Sequence, residues 1–381
     1  MPVSVTWSIA LGWLVVAIWA YLLLGRVFFW RARVAPPAPE PARYPRVVAV
    51  IPARNEAEGV GRAVSSLLDQ DYPGEFAVVL VDDHSNDGTV EVAREAARDR
   101  EDRLTVVAAR PLPGGWTGKL WALSEGVRQI AQVPDLYLFT DADIAHHRSN
   151  LRELVARLEA EERDLVSLMV KLHCESFAEK FLIPPFVFFF ALLYPFAWSN
   201  DPRKATAAAA GGCILMRRSA YERIGGYAAI KGELIDDCAL ATAVKKSGGS
   251  IWLGLTQGTV SLRLYPEVRD IWNMVARTAY TQLAYSPLLL AGTVLGLAIT
   301  YLAPVLLPFA GGKAALLGLA AWLMMAGCYA PMLLFYRRSL LWAPLLPAAA
   351  SVYLGATIAS AWRHWRGRGG EWKGRVQWQS R

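Results

Sequence analysis

Residues 136–144 read LYLFTDADI. Four apolar or aromatic residues run into Thr140-Asp141-Ala142-Asp143, the pattern of a buried strand that ends by presenting two carboxylates. Residues two apart in an extended strand share a face, so the spacing predicts that Asp141 and Asp143 converge on one hard cation. Mg²⁺ or Mn²⁺ suits such a pair, because these ions take one or two carboxylates and fill their other positions with phosphate and water oxygens. A metal there would neutralise a departing diphosphate. The motif alone decides little, since a chain of this length holds roughly one D-x-D by chance. Asp69-Gln70-Asp71, in a polar, turn-like setting, is a second one.

The preceding residues supply the context. VVAVIPARNE (47–56) reads as a β-branched strand ending in a polar loop. Residues 59–69 then have helical spacing, with apolar positions at Val60, Val64, Leu67 and Leu68. AVVLVDDHSNDGT (77–89) is a second strand that ends in acids, with a charged helix from Val90, and LTVVAA (104–109) is a third. This alternation predicts an α/β domain, a mostly parallel sheet covered by helices. Ligands in such folds bind at the carboxyl ends of the strands. Arg54-Asn55-Glu56, Asp82-Asp83 and Asp141/Asp143 all fall at those ends, which predicts one site. No G-x-G-x-x-G follows the first strand and no G-x-x-x-x-G-K-[ST] occurs, which argues against a dinucleotide oxidoreductase and a P-loop. Gly114-Gly115-Trp116-Thr117-Gly118-Lys119 looks only superficially like a phosphate loop; Lys119 is either a phosphate contact or a solvated lysine. His146 is either a ligand beside the D-x-D or a surface or hydrogen-bonded histidine.

The 381 residues are 54% hydrophobic, include 15 Trp and carry a formal net charge of +7, which suits one α/β domain plus membrane segments. The basic excess sits beside hydrophobic spans and in the last residues, favouring a lipid surface as its partner. No nucleic-acid signature appears, so no nucleic-acid partner is expected. Cys174, Cys213, Cys238 and Cys328 form no C-x-x-C, which argues against a zinc site or disulfide framework and fits a reducing compartment.

Residues 5–30 carry one charge, Arg26, and are long enough to cross a bilayer; no signal-peptide pattern is present. Arg26, Arg31 and Arg33 place the C-terminal side of this span in the cytoplasm. Residues 181–200 are also apolar, but a crossing there would separate Asp143 from Asp237. With Pro184, Pro185 and Pro195 the segment suits a broken helix lying in the interface, the alternative being a core helix of the soluble domain. Three apolar stretches follow, near 287–310, 314–336 and 341–361, the last of them either a third crossing or re-entrant. The expected organisation is a transmembrane anchor (1–33), a Pro-rich linker (34–45), a catalytic domain (46–285) with interfacial segment 181–200, C-terminal membrane helices (286–362) and a basic Trp-rich tail (363–381).

Taken in order, VVAVIPARNE, VVLVDDHSNDGT, GGWTGKLWAL and LFTDAD resemble the family 2 glycosyltransferases of the GT-A fold, over about 45 to 285. The resemblance implies that Glu56, Asp82 and Asp83 contact base and ribose. It further implies that Lys119 lies on the nucleotide side of the pocket, and that Asp141 and Asp143 hold ribose and metal. AAAAGGCILMRRSAYERIGGY (207–227) is similar to the family's glycine-containing segment near donor and acceptor. KGELIDDCALA (231–241) matches its acidic pair, whose second member, Asp237 here, would be the general base of inverting transfer. Asp236-Asp237 also reads as the acidic first turn of a helix, and Glu233 is a weaker competitor for the base. Where processive members carry Q-x-x-R-W, this chain has Met274-Val275-Ala276-Arg277-Thr278. Arg277 is then a diphosphate or acceptor contact, and a single sugar transfer is expected rather than polymer synthesis. The layout is most similar to the hopene-associated glycosyltransferases of hopanoid biosynthesis. That resemblance implies a divalent-metal-dependent enzyme in the inner membrane, with its catalytic domain cytoplasmic, moving one sugar from a nucleotide sugar (a UDP-sugar by default) to a lipid. Competing readings are a polyprenyl-phosphate glycosyltransferase, a nucleotidyltransferase, and a membrane scaffold with an inactive transferase-like domain.

Overall fold

The computed structural model describes residues 3–367, 371–372 and 375–376. Most of the tail expected at 363–381 lies outside the described residues. The chain packs as two units: one of residues up to 33, 174–195 and 265–367, and a second of residues 34–173 and 196–264 together with the described residues beyond 370. Residues 265–285, read from sequence as part of the catalytic domain, pack with the first unit.

The second unit is built on strands Val47–Ala53 (β1), Phe76–Asp82 (β2), Leu104–Ala108 (β3), Leu136–Phe139 (β4), Ile144–His146 (β5), Leu165–Lys171 (β6), Ile214–Arg217 (β7) and Ile251–Ser261 (β8). They form one sheet in the order β3-β2-β1-β4-β7-β6-β8-β5. The first four are mutually parallel, as expected from their alternation with helices. β7 runs antiparallel between β4 and β6, β6 pairs parallel with β8, and β5 closes the edge antiparallel to β8.

Both faces of this sheet are covered, and the period-two rule shows how. Val47, Ala49, Ile51, Val78, Leu80, Leu136 and Leu138 enter one core. Their neighbours Val48, Val50, Val79, Val81, Tyr137 and Phe139 enter the other. Helix Gly118–Arg128 lies so close to the second face that a Cβ on Gly126 would meet Val50 and stand 2.7 Å from Val81. Only glycine permits that approach.

The β1–β4 ladder ends at Val50 and Phe139, while β1 continues beside β2 through Ala53. Pro52 therefore sits where no β4 partner is left to need its missing N–H. Here, too, the strand order reverses, with β2 on one side of β1 and β4 on the other. Such a switch point opens a crevice at the carboxyl ends of the strands.

One expectation is corrected at this point. β4 stops at Phe139, and Asp141 to Asp143 lie in a turn rather than in a strand. The chain must leave β4, inside the sheet, to reach β5 at its edge, so the alternation that was to aim both carboxylates alike no longer applies.

In the first unit, Thr6–Gly25, Pro287–Ala310, Gly312–Phe335 and Leu340–Trp365 are helical and each long and apolar enough to cross a membrane. The last is one continuous helical element of 26 residues. Proline at 304 removes the N–H that would bond the Thr300 carbonyl, and the indole of Trp19 donates to it instead at 2.8 Å. Helix Phe177–Leu193 begins with a capping box, Ser176 and Glu179. It runs unbroken through Pro184 and Pro185, where the sequence suggested a break. Ile183, both prolines, Val187 and Phe188 are buried there, and that packing outweighs the lost backbone bonds. The free carbonyl of Leu192 at its end accepts from the Arg26 guanidinium at 2.7 and 3.0 Å.

Candidate active site

The crevice at the switch point holds two groups of acids in the second unit, each gathered around one cation. The first centres on Lys119. Thr117 caps helix Gly118–Arg128, its hydroxyl accepting from the Leu120 N–H, which fixes Lys119 in the first turn. Its Nζ lies 2.9 Å from Asp141 Oδ1 and 3.1 Å from Asp236 Oδ2. Asp236 and Asp237 occupy the first turn of helix Asp236–Lys246, as the helix reading of that pair expected. Asp237 Oδ2 accepts from the backbone N–H of Gly211 at 2.9 Å, and Oδ1 from that of Cys238 at 2.7 Å. Leu123, Phe139, Thr140, Ile214, Tyr227 and Leu240 complete the lining.

Gly211 must be small. A Cβ there would lie 3.0 Å from Lys119 Nζ and 3.6 Å from Asp237 Oδ2. The strap that leads to it is held from the far end of the same helix, where Lys245 Nζ reaches the carbonyls of Asp201, Lys204 and Thr206 at 2.9, 3.0 and 2.7 Å.

The electrostatics follow from this crowding. Burial works against the charge of Lys119, but Asp141 and Asp236 outweigh it and hold the ammonium above the ordinary lysine range. Burial also raises Asp141, with Lys119 opposing and Asp143 adding to the rise. Asp237 is pushed up to about 6 by burial and by the neighbouring Asp236, while Lys119 and the two N–H donors pull the other way. A carboxylate poised near neutrality and aimed into a crevice is suited to accept a proton.

The second group centres on Arg263, just past β8. Its Nε donates to Asp143 Oδ2 at 2.7 Å and its Nη2 to Glu56 Oε1 at 3.0 Å. Asp141 and Asp143 thus serve different cations. Arg263 carried no signal in the sequence, because it lies 120 positions from Asp143 in no motif.

The remaining expected residues are placed as follows. The Asp82 carboxylate accepts from the Ser85 N–H at 3.2 and 3.3 Å, and Asp83 is buried against Arg54, Nη1 to Oδ2 at 3.6 Å. The β1 and β2 end loops are laced together: Asn55 N–H donates to Ser85 Oγ, Glu56 N–H to Thr89 Oγ1 and Ala57 N–H to Asp87 Oδ2. Asn55 and His84 adopt left-handed backbone, φ 51° and 57°, a strain that marks both turns. Glu233 is exposed and does not line the pocket. Arg277 belongs to the first unit, at the C-cap of helix Val268–Ala276.

His146 is the hydrogen-bonded histidine, not a ligand. Its Nε2 lies 2.9 Å from Thr140 Oγ1 and its Nδ1 3.0 Å from Asn150 Nδ2, so both ring nitrogens are used. The Thr140 hydroxyl donates onward to the Gly212 carbonyl at 2.8 Å. Burial lowers His146 to about 4, which keeps the ring neutral.

A divalent metal fits these donors in kind. Asp141, Asp236, Asp143 and Glu56, which pair with Lys119 and Arg263, gather with Asp237 at the crevice. All are hard oxygen donors of the type Mg²⁺ and Mn²⁺ take. Among the described residues no three His, Cys, Asp or Glu are grouped to hold an ion by themselves, so part of its shell would come from the substrate.

Comparison with known proteins agrees with this geometry. Residues 48–225 match the family described as Glycosyl transferase family 2. Glycosyltransferase AglE of Haloferax volcanii is 28% identical over 123 residues, 32% of this chain and 38% of that protein. The 4,4'-diaponeurosporenoate glycosyltransferase of Staphylococcus aureus is 27% identical over 225 residues, 57% of this chain and 56% of that protein. The matches thus span roughly two-fifths to just over half of these relatives. Among solved structures, the mannosyltransferase PcManGT from Pyrobaculum calidifontis, in complex with GDP-Man and Mn²⁺, superposes with a TM-score of 0.57 at 20% identity, covering 94% of this chain and 99% of that one. Residues 48–225 thus match a glycosyltransferase family 2 domain, and the fold around the crevice is GT-A.

Proposed function

We propose that the protein is a membrane-bound, inverting glycosyltransferase that moves one sugar from a nucleotide-sugar donor to a lipid acceptor. The observation that carries this reading is Asp237, raised to about 6 and aimed into the crevice by the Gly211 N–H beside the Lys119–Asp141 pair. Asp237 takes the proton of the acceptor hydroxyl as that oxygen attacks the anomeric carbon. The laced loops carrying Glu56, Asp82 and Asp83 hold base and ribose, and Lys119 lies on the nucleotide side. By resemblance alone, Arg277 is read as a diphosphate or acceptor contact.

Asp141 and Asp143 would hold a divalent metal, Mg²⁺ or Mn²⁺, which when bound stabilises the leaving nucleoside diphosphate. The Mn²⁺ and GDP-Man of the mannosyltransferase support both ligands, with a UDP-sugar the default donor by resemblance. The four helices able to cross a membrane, and the relative named for its diaponeurosporenoate acceptor, support a lipid acceptor. Hopanoid or other glycolipid biosynthesis, at the inner membrane with the domain cytoplasmic, is the finer reading by resemblance.

The test is transfer of labelled sugar, from a panel of nucleotide sugars, into organic-extractable lipid by detergent-purified protein, with and without chelator. Chelator-sensitive label that disappears in Asp237→Asn is the expected result, and mass analysis of the product then names the acceptor, polyprenyl phosphates included. No transfer from any donor, with the protein folded and binding nucleotide, would leave the scaffold reading standing instead.

A further inference from the structure

The Arg263 cluster is built differently from an ordinary structural salt bridge. The Leu262 N–H donates to the Asp143 carbonyl at 2.7 Å, which ties the end of β8 to the D-x-D turn. From that anchor the guanidinium spans two carboxylates that come from separate strand ends, Asp143 and Glu56. The cation is the outer member: its side chain is 37% exposed, against 16% for Glu56 and 15% for Asp143. An incoming ion therefore meets the guanidinium before it meets Asp143. Arginine cannot lose its charge by deprotonation at any ordinary pH, so it can yield Asp143 only by swinging away.

We infer that Arg263 is an exchangeable counter-cation, a positioning residue that occupies Asp143 and Glu56 in the absence of donor and gives up Asp143 as metal and nucleoside diphosphate arrive together. The released fork, still tethered beside the turn by its backbone, matches the paired oxygens of a diphosphate. Metal alone must compete with a resident charge. Metal with diphosphate gives that charge somewhere to go. This coupling rests on the proposed donor and metal site and adds to it the residue that makes the two ligands interdependent.

The test uses the full-length, detergent-purified protein. Mn²⁺ binding is followed by the electron paramagnetic resonance of the free ion, and binding of uridine and guanosine diphosphate by calorimetry in saturating Mn²⁺. In Arg263→Gln, Mn²⁺ alone should bind about tenfold tighter than in the unsubstituted protein, and the diphosphate about tenfold weaker, within the range of ordinary coupling energies. Arg263→Lys, which keeps the charge but loses the fork, should fall between. Opposite shifts in one variant cannot come from misfolding, which weakens both. Equal weakening of both ligands, or unchanged Mn²⁺ affinity, would overturn the inference while leaving the transferase reading intact. If the unsubstituted protein bound neither Mn²⁺ nor diphosphate, that reading would fall, and this one with it.

Discussion

The two acidic clusters at the crevice use the same chemistry in opposite arrangements. Around Lys119 the cation is enclosed: its side chain is 20% exposed, less than the 35% of its partner Asp141. Around Arg263 the cation lies outermost, over acids that are more enclosed than itself. An enclosed charge has nowhere to go and can only set the ionisation of its neighbours. An outer charge can be exchanged. The first cluster is thus suited to tuning a base and the second to admitting a ligand, although each is a lysine or arginine among carboxylates.

The sharpest way to break this comparison is Asp237→Asn. Loss of the base should lower sugar transfer by about 10³, within the usual span for general-base removal, with diphosphate affinity essentially unchanged. Transfer kept within tenfold would return the role to Asp236 or Glu233.

Lys119→Met tests the enclosed cation. Removing one partner from a largely buried ion cluster strands the acids, and an expected loss of about 2–3 kcal/mol allows for the remaining solvent access. Urea denaturation measures it. Because Lys119 lowers the pKa of Asp237, the same variant should move the acid limb of kcat/KM upward. In the unsubstituted protein that limb should fall below pH of about 6, since the base must be deprotonated to act. A limb that stays in place in Lys119→Met would separate the lysine from the base.

His146 offers a smaller effect with a defined sign. Its folded pKa of about 4 lies below the unfolded value, so its contribution is present above about 6.5 and is lost as pH falls toward 4. Between pH 6.5 and 5 this amounts to about 2 kcal/mol, seen as a slope of stability with pH that His146→Gln should flatten. The smallest effect is expected from Arg203→Ala. Arg203 pairs with Asp201 but is 87% exposed, and such pairs contribute little, so the denaturation midpoint should not move.

The first four strands were legible because each is a short apolar run bounded by polar residues, and the helices between them forced a parallel sheet. β5 to β8 were not. LVSLMVK and ILMR have no alternation of their own, and antiparallel insertion of β7 depends on where the preceding chain returns. The site was half legible. Lys119, Asp141 and the Asp236-Asp237 pair stood out by motif order and do meet in the crevice. The strand alternation expected to aim Asp141 and Asp143 is absent, since β4 ends before them, and each carboxylate pairs with its own cation.

By itself, then, the sequence determined the α/β pattern, the apolar helices and the residue types that meet at the strand ends. These are properties of short windows, where periodicity and propensity act on neighbours in the chain. Only the tertiary structure decided which cation each carboxylate meets, and on which side of it solvent lies. Arg263 reaches Glu56 across 207 positions of chain, and no local pattern encodes a contact made by the crossing of distant strands.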